Sequence, residues 1–186
     1  TWQQCDACGA THDELMAATR CPACGGLLAV RHAPPAHSAA ELRRLFADPC
    51  CARPGPLASG VWRFKELVLP TAAAPVSHPE GNTPLLERRA VSTFGGVAHL
   101  RLKHEGHNPT GSFKDRGMTV GVTQAVRVGA TAVACASTGN TSASLAAYAA
   151  QAGLQALVFV PAGKVALCTL AQSLAYGART QVVRGH

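Results

Sequence analysis

Aromatic side chains make up only 5% of the 186 residues. Each one, Trp62 and Phe64 included, therefore reads as a packing anchor rather than part of a ligand platform. No run of 18 apolar residues is present, which argues against a helical membrane span. The opening Thr1-Trp-Gln-Gln-Cys5 lacks the basic start and apolar core of a secretory signal. It also lacks an initiator Met, so further residues are expected before it. Acidic residues are absent after Asp115, and that absence shapes the net charge of +7. Residues 1–60 balance five basic against five acidic groups, residues 61–115 hold seven against five, and 116–186 hold five against none. Nucleic-acid binders concentrate basic groups on their binding module, whereas residues 1–30 hold one basic and three acidic residues. The sequence thus argues against nucleic acid, and an anionic small molecule suffices to explain a basic second half.

What is present is a globular composition, 47% apolar and 15% charged. The length suits one domain, or a small module joined to part of a larger one. Eight cysteines do not form a disulfide framework. Cys5-x-x-Cys8 and Cys21-x-x-Cys24 are two knuckles twelve residues apart, a spacing that suits tetrahedral zinc held by four thiolates. The alternative is two redox or disulfide pairs. Gly9 and Gly25-Gly26 follow the knuckles, where tight turns favour positive φ. A ribbon over 1–30 buries little, so metal would supply most of its folding energy, about 10 kcal/mol. Four protein ligands leave no open position, so the zinc is expected to be structural. Cys50, Cys51, Cys135 and Cys168 read as packing or surface thiols, and the whole set fits a reducing, cytoplasmic compartment.

Residues 31–78 read as a linker and lead-in. Within them Ser38 and Glu41 form a capping box for a helix to Phe46. From Val97 strands and helices alternate: strand 97–103, helix 112–128, strand 131–136, helix 140–152, strand 155–160, helix 163–176 and strand 179–184. This period predicts an α/β parallel sheet with helices on both faces over 79–186. Ligands in such sheets bind beyond the carboxyl ends of strands, which brings the 104–112 and 137–140 loops together.

The chemistry concentrates in His104-Glu-Gly-His-Asn-Pro-Thr-Gly-Ser-Phe-Lys114-Asp-Arg-Gly117. Ser112 and Asp115 match a capping box, so Lys114 is expected in the first helical turn. A cation is unwelcome there, because the macrodipole is positive and Arg116 adds a second charge. Burial beside Phe113 works the same way, and all three favour the neutral amine that condenses with carbonyls. Ser137-Thr-Gly-Asn-Thr141 opens the next helix, where free backbone N–H groups and hydroxyls suit a carboxylate or phosphate. Ordinary capping would explain the same residues. Asn82 and Thr83 of a turn-rich lead-in loop face either the site or their own turn. Lys103 and Lys164 read as solvated lysines rather than phosphate ligands, and His104 and His107 as loop residues.

Asn108–Gly117 resembles the lysine motif of the threonine synthase family, within the fold type II, tryptophan-synthase-β-like pyridoxal-phosphate enzymes. Ser59–Leu67, Glu80–Leu85 and Ala136–Ser144 match in the same order. The resemblance implies that Lys114 carries pyridoxal 5'-phosphate and, once freed, moves protons at the substrate's Cα and Cβ. It implies that Asn140 bonds the cofactor's phenolic oxygen and that Ser137, Thr138 and Thr141 hold the substrate carboxylate. Relatives sometimes carry a ribbon like that of Cys5, Cys8, Cys21 and Cys24. The implied reaction is O-phosphohomoserine and water to threonine and phosphate. A threonine/serine dehydratase is the near alternative, and a non-catalytic zinc-ribbon binding module on a degenerate scaffold is the distant one. Cys168-Thr169 stand where the family usually has Gly-Lys. Family members continue for about as many residues again, so the chain is read as an N-terminal half, of doubtful activity alone. A small amino acid is the expected partner, and a homodimer is compatible with the sequence.

Overall fold

Three antiparallel strands open the chain: β1 (Trp2–Cys5), β2 (Thr11–Asp13) and β3 (Leu28–Arg31), in the order β2-β1-β3. Trp2 pairs with Asp13 on one side and Arg31 on the other, so the first strand is central. The computed structural model describes residues 1–47, 55–163 and 167–184. Cys50, Cys51, Lys164 and His186 lie outside the described residues, as does the side chain of Cys168.

Helix α1 (Ala39–Ala47) begins where its capping box places it. Ser38 N donates to Glu41 Oε2 at 2.7 Å, and Glu41 N donates to Ser38 Oγ at 3.3 Å. Two 3₁₀ turns, Gly55–Ala58 and Trp62–Phe64, lead to the single turn α2 (Lys65–Val68). Trp62 is the anchor expected of it: fully buried, with its indole Nε1 donating to Thr119 Oγ1 at 2.7 Å. Phe64 is only half-buried and meets Phe46 edge-on.

Strand β4 (Leu85–Glu87) and helix α3 (Arg89–Gly95) carry no clear sequence signal. β4 pairs antiparallel with β5 (Arg101–Lys103). This corrects the expectation of a strand over 97–103 in the parallel sheet. A three-residue partner supports only a three-residue strand, and the pair forms its own ribbon.

The parallel sheet comprises β6 (Ala132–Ala136), β7 (Gln155–Pro161) and β8 (Arg179–Val183), in sequence order. Helix α4 (Lys114–Arg127) precedes it, and α5 (Asn140–Ala152) and α6 (Leu167–Ala175) are the crossovers. α5 buries Ser142 to Ala149 without interruption. Four alanines among them let α4 and α6 approach its two flanks. Ala146 and Ala149 pack on Ala156, Val158 and Val160 of β7, while Leu145 and Tyr148 meet Val122 of α4. Among the described residues the helices cover one face of this sheet, not both. Val158 and Val160 point into the core, whereas the intervening Phe159 is 38% exposed beside its exposed cross-strand neighbours Ala136 and Gln181.

The lead-in loop crosses the chain between the two 3₁₀ turns with no room between backbones. Gly60 N donates to Glu80 O at 2.7 Å, and a Cβ on Gly60 would stand 2.0 Å from Asn82 N. Gly81 and Asn82 both take positive φ, +82° and +49°, to make that crossing.

Candidate active site and metal centre

Lys114 is the first residue of α4, as expected, but the cap differs. Phe113 stands at the N-cap in a helical conformation without a side-chain cap bond. Ser112, buried in the turn, accepts the Lys114 N–H at 3.3 Å. Asp115 does not reach back to Ser112. Its carboxylate instead accepts Thr110 N at 2.7 Å, Thr110 Oγ1 at 2.5 Å and Ser144 Oγ at 2.6 Å. Tertiary hydrogen bonding outcompetes the local capping pattern. Lys114 is half-buried, and its Nζ lies 4.5 Å from the centre of the Phe113 ring. That ring is 55% exposed, so it leaves the amine reachable from solvent instead of burying it.

α5 opens directly beyond the carboxyl end of β6. Gly139 is its N-cap, with an extended backbone and no side-chain cap bond. Ser137 Oγ accepts Gly139 N at 3.2 Å, and Ser142 Oγ donates to Gly139 O at 2.7 Å. Asn140 is exposed, and Ser137, Thr138 and Thr141 are half-buried. Ser137, Thr138 and Thr141 thus place hydroxyls at the N-terminal opening of α5, an end of a helix that favours anions. The structure brings the two motifs together: Asp115 follows Lys114, and its partner Ser144 lies one turn beyond Asn140. The expectation that both loops follow strands of one parallel sheet fails, because the 104–112 loop follows β5 of the separate ribbon. Helix packing joins the loops instead.

A second polar cluster locks the lead-in loop onto the lysine loop. Arg116 holds Glu105 in a two-pronged pair, Nε to Oε2 at 2.8 Å and NH2 to Oε1 at 2.9 Å. Thr83 Oγ1 donates to Glu105 Oε1 at 2.8 Å, and Asn108 Nδ2 donates to Oε2 at 2.9 Å. Asn108 Oδ1 in turn accepts Gly81 N at 2.9 Å. The Arg116 guanidinium holds the Glu105 carboxyl down at about 2; burial opposes this, and Thr83 and Asn108 reinforce it. Thr83 is thus a buried strut, while Asn82 turns away to donate to Ala58 O at 3.2 Å. Lys103 is exposed yet not simply solvated, since its ammonium donates to the Thr83 carbonyl. His104 and His107 stack edge-on, 4.5 Å between ring centres.

Further into the fold, Glu80 is fully buried and accepts Tyr148 Oη at 2.7 Å, Ser77 Oγ at 3.1 Å and His78 N at 3.1 Å. Burial, followed by the Glu80 contact, pushes the Tyr148 phenol far above its usual range. The tyrosine is a donor fastening the lead-in loop to α5. None of these acids announces itself in sequence, because each also takes a partner far along the chain, Tyr148 for Glu80, Ser144 for Asp115 and Thr83 for Glu105.

At the other end of the chain, the sulfurs of Cys5, Cys8, Cys21 and Cys24 all lie within 4.8 Å of one another. The short contacts run between knuckles, Cys5 to Cys24 at 3.5 Å and Cys8 to Cys21 at 3.7 Å. Sulfurs 2.3 Å from a central zinc stand about 3.8 Å apart, so the spacing fits tetrahedral thiolate ligation. A disulfide needs about 2.05 Å, and the thiols are free. Left to themselves the sulfurs share protons. The Cys8 backbone N–H draws the Cys5 thiol down to about 6. Cys24, despite the lowering contact from Gly26 N–H, is pushed up to about 12 by its hydrogen bonds with Cys8 and Cys5. A divalent cation would relieve that repulsion. Gly9 and Gly25 take positive φ as expected, but Gly26 does not. A Cβ on Gly26 would lie 2.8 Å from Cys5 Sγ, so it is glycine for space. His12, unremarked in the sequence, places Nε2 3.5 Å from Cys21 Sγ. Glu14 fastens the ribbon to the far end of α4 through Arg127 at 2.6 Å, while its backbone carbonyl accepts Gln124 Nε2 at 2.7 Å.

The sequence profile of the family described as pyridoxal-phosphate dependent enzymes matches residues 76–186. The threonine synthase of Methanosarcina acetivorans is 44% identical over 183 residues, 98% of this chain and 42% of that one. The threonine synthase of Methanocaldococcus jannaschii is 44% identical over 185 residues, 99% of this chain and 44% of that one. The chain therefore spans little more than two fifths of the length of these curated relatives. Among solved structures, maize serine racemase aligns with a TM-score of 0.50 over 57% of this chain and 32% of that one, at 22% identity. That likeness concerns the fold.

Proposed function

The chain belongs to the family of pyridoxal-phosphate-dependent enzymes, and from that premise we propose that it serves a threonine synthase-like reaction, O-phosphohomoserine and water to threonine and phosphate. The observation that carries the proposal is the pairing of a reachable Lys114 amine with the polar opening of α5, tied through Asp115 and Ser144. The residues fit the cofactor at this end. Lys114 would hold its aldehyde carbon and Asn140 would bond its phenolic oxygen. Bound there, pyridoxal phosphate supplies an electron sink for carbanions at the substrate. Ser137, Thr138 and Thr141 would orient the substrate carboxylate against the first amides of α5. Lys114, at the start of α4, would carry protons between Cα and Cβ.

In this reading residues 1–30 form a structural zinc ribbon, 31–78 a linker and lead-in, and 79–186 the first part of the catalytic α/β unit. The substrate is a small amino acid, and the reducing cytoplasm is the compartment that suits free thiolates. Among the described residues no helix is long and apolar enough to cross a membrane.

The test is the visible spectrum with pyridoxal phosphate before and after borohydride, beside Lys114→Ala, followed by product analysis. A yellow species fixed by borohydride in wild type alone, and threonine from O-phosphohomoserine, is the expected result. Pyruvate from serine without threonine from O-phosphohomoserine would move the activity to the dehydratase class.

A further inference from the structure

Between the lysine turn and the α5 loop lies a carboxylate to which the proposed chemistry gives no part. Asp115 is fully shielded from solvent. A buried carboxylate without partners is costly. This one is met by three short, charge-assisted bonds, all from donors on other segments. Two come from Thr110, in the turn that delivers the chain to Lys114. The third comes from Ser144, itself fully buried and four residues after Asn140, hence on the same side of α5. Gln172 of α6 reaches the same turn, with Nε2 donating to Thr110 O at 3.3 Å. Among the described residues this carboxylate joins the lysine turn to α5 by hydrogen bonds, ahead of the apolar α4–α5 packing of Val122 with Leu145 and Tyr148.

We propose that Asp115 is a positioning residue: it sets the separation between the Lys114 amine and the α5 loop by joining the first turn of α4 to the second turn of α5. The inference rests on the roles given above to Lys114 and the α5 loop. The two helices hold different halves of the reaction, the amine on α4 and the substrate carboxylate on α5. Slackening the joint displaces one against the other without removing a contact to substrate. Proton transfer suffers and binding does not. Asparagine is a poor replacement for Asp115, because the carboxylate accepts two hydroxyls and an amide N–H while a carboxamide offers one oxygen.

The test uses the holoenzyme with Ser144→Ala, which removes the α5 arm alone and suits a helix interior. Asp115→Asn is the second variant. For Ser144→Ala the expected result is kcat lowered about 10- to 100-fold with KM within about twofold of wild type. Cofactor fixed at Lys114 by borohydride should be unchanged, as read by mass spectrometry. Asp115→Asn should show the same split, larger. Unchanged kcat per cofactor-loaded molecule with a lowered melting temperature would overturn the proposal and leave Asp115 a brace. A rise in KM at constant kcat would overturn it too. Fixation of the cofactor that survives Lys114→Ala would instead remove the reading on which the proposal stands.

Discussion

Within residues 1–31 the buried side chains are Cys5 and Cys21, whereas α5 alone buries eight consecutive residues. The ribbon has almost no apolar interior, and four sulfurs gather around one point within it. The α/β part rests on alanines and valines packed between helix and sheet, with buried acids pinning its loops. Polar chemistry is the framework in the first region and the fastening in the second. Loss of one ligand should therefore dismantle the ribbon, while loss of one fastening should only loosen the α/β part.

The largest effect is expected from breaking the proposed metal centre. Chelation, or Cys5→Ser, should release about one metal ion and withdraw about 10 kcal/mol from the folding of the ribbon. Amide exchange should then rise across β1–β3 and stay slow in α5 and β7. Slow exchange in β1–β3 after complete metal removal would mean that the ribbon stands on its own packing.

An intermediate effect is expected in the lock between the lead-in and lysine loops. Glu105→Gln should cost about 1–3 kcal/mol at pH 7, read from urea midpoints. Because folding lowers the Glu105 pKa to about 2, its contribution is complete above the unfolded value and fades as pH falls toward 2. The gap between variant and wild type should accordingly narrow on acidification from about pH 5 to about pH 2. A gap constant across that range would show that the pair is not the source.

The smallest effect belongs to the outer hairpin. Arg101 and Glu87 are as close, 2.6 Å, but both side chains are 66% exposed. Arg101→Ala should change stability by about 0.5 kcal/mol or less, and added salt should erase the difference.

What could be read in the sequence follows the same division. Doubled Cys-x-x-Cys spacing foretells the four-cysteine cluster because the two cysteines of each knuckle are local. α5 was legible to the residue, since Gly139 and Gly153 bracket it. Ser38 and Glu41 behave as their pattern states because α1 buries no residue that could compete. Ser112 and Asp115 carry the same pattern and do not, because Ser144 and Thr110 draw the carboxylate into the core. Strand β5 was overextended for a related reason: its length is set by Leu85–Glu87, a partner invisible to local alternation. The place of Lys114 at the start of α4 was legible through its motif, whereas Glu80, Glu105 and Asp115 take their roles from residues up to 68 positions away.

Glu14 grips Arg127, the last residue of the helix that begins with Lys114. Fourteen helical residues form a rod of about 21 Å. Seen mechanically, the ribbon holds one end of a lever and the amine sits at the other. Pivoting that rod by about three degrees at the ribbon sweeps its tip through about 1 Å. Such a sweep is enough to cost a positioned reaction about a hundredfold in rate. Because Asp115 and Arg116 pin that tip, a disturbance at the sulfur cluster would reach the amine as strain along the rod, with no contact between them.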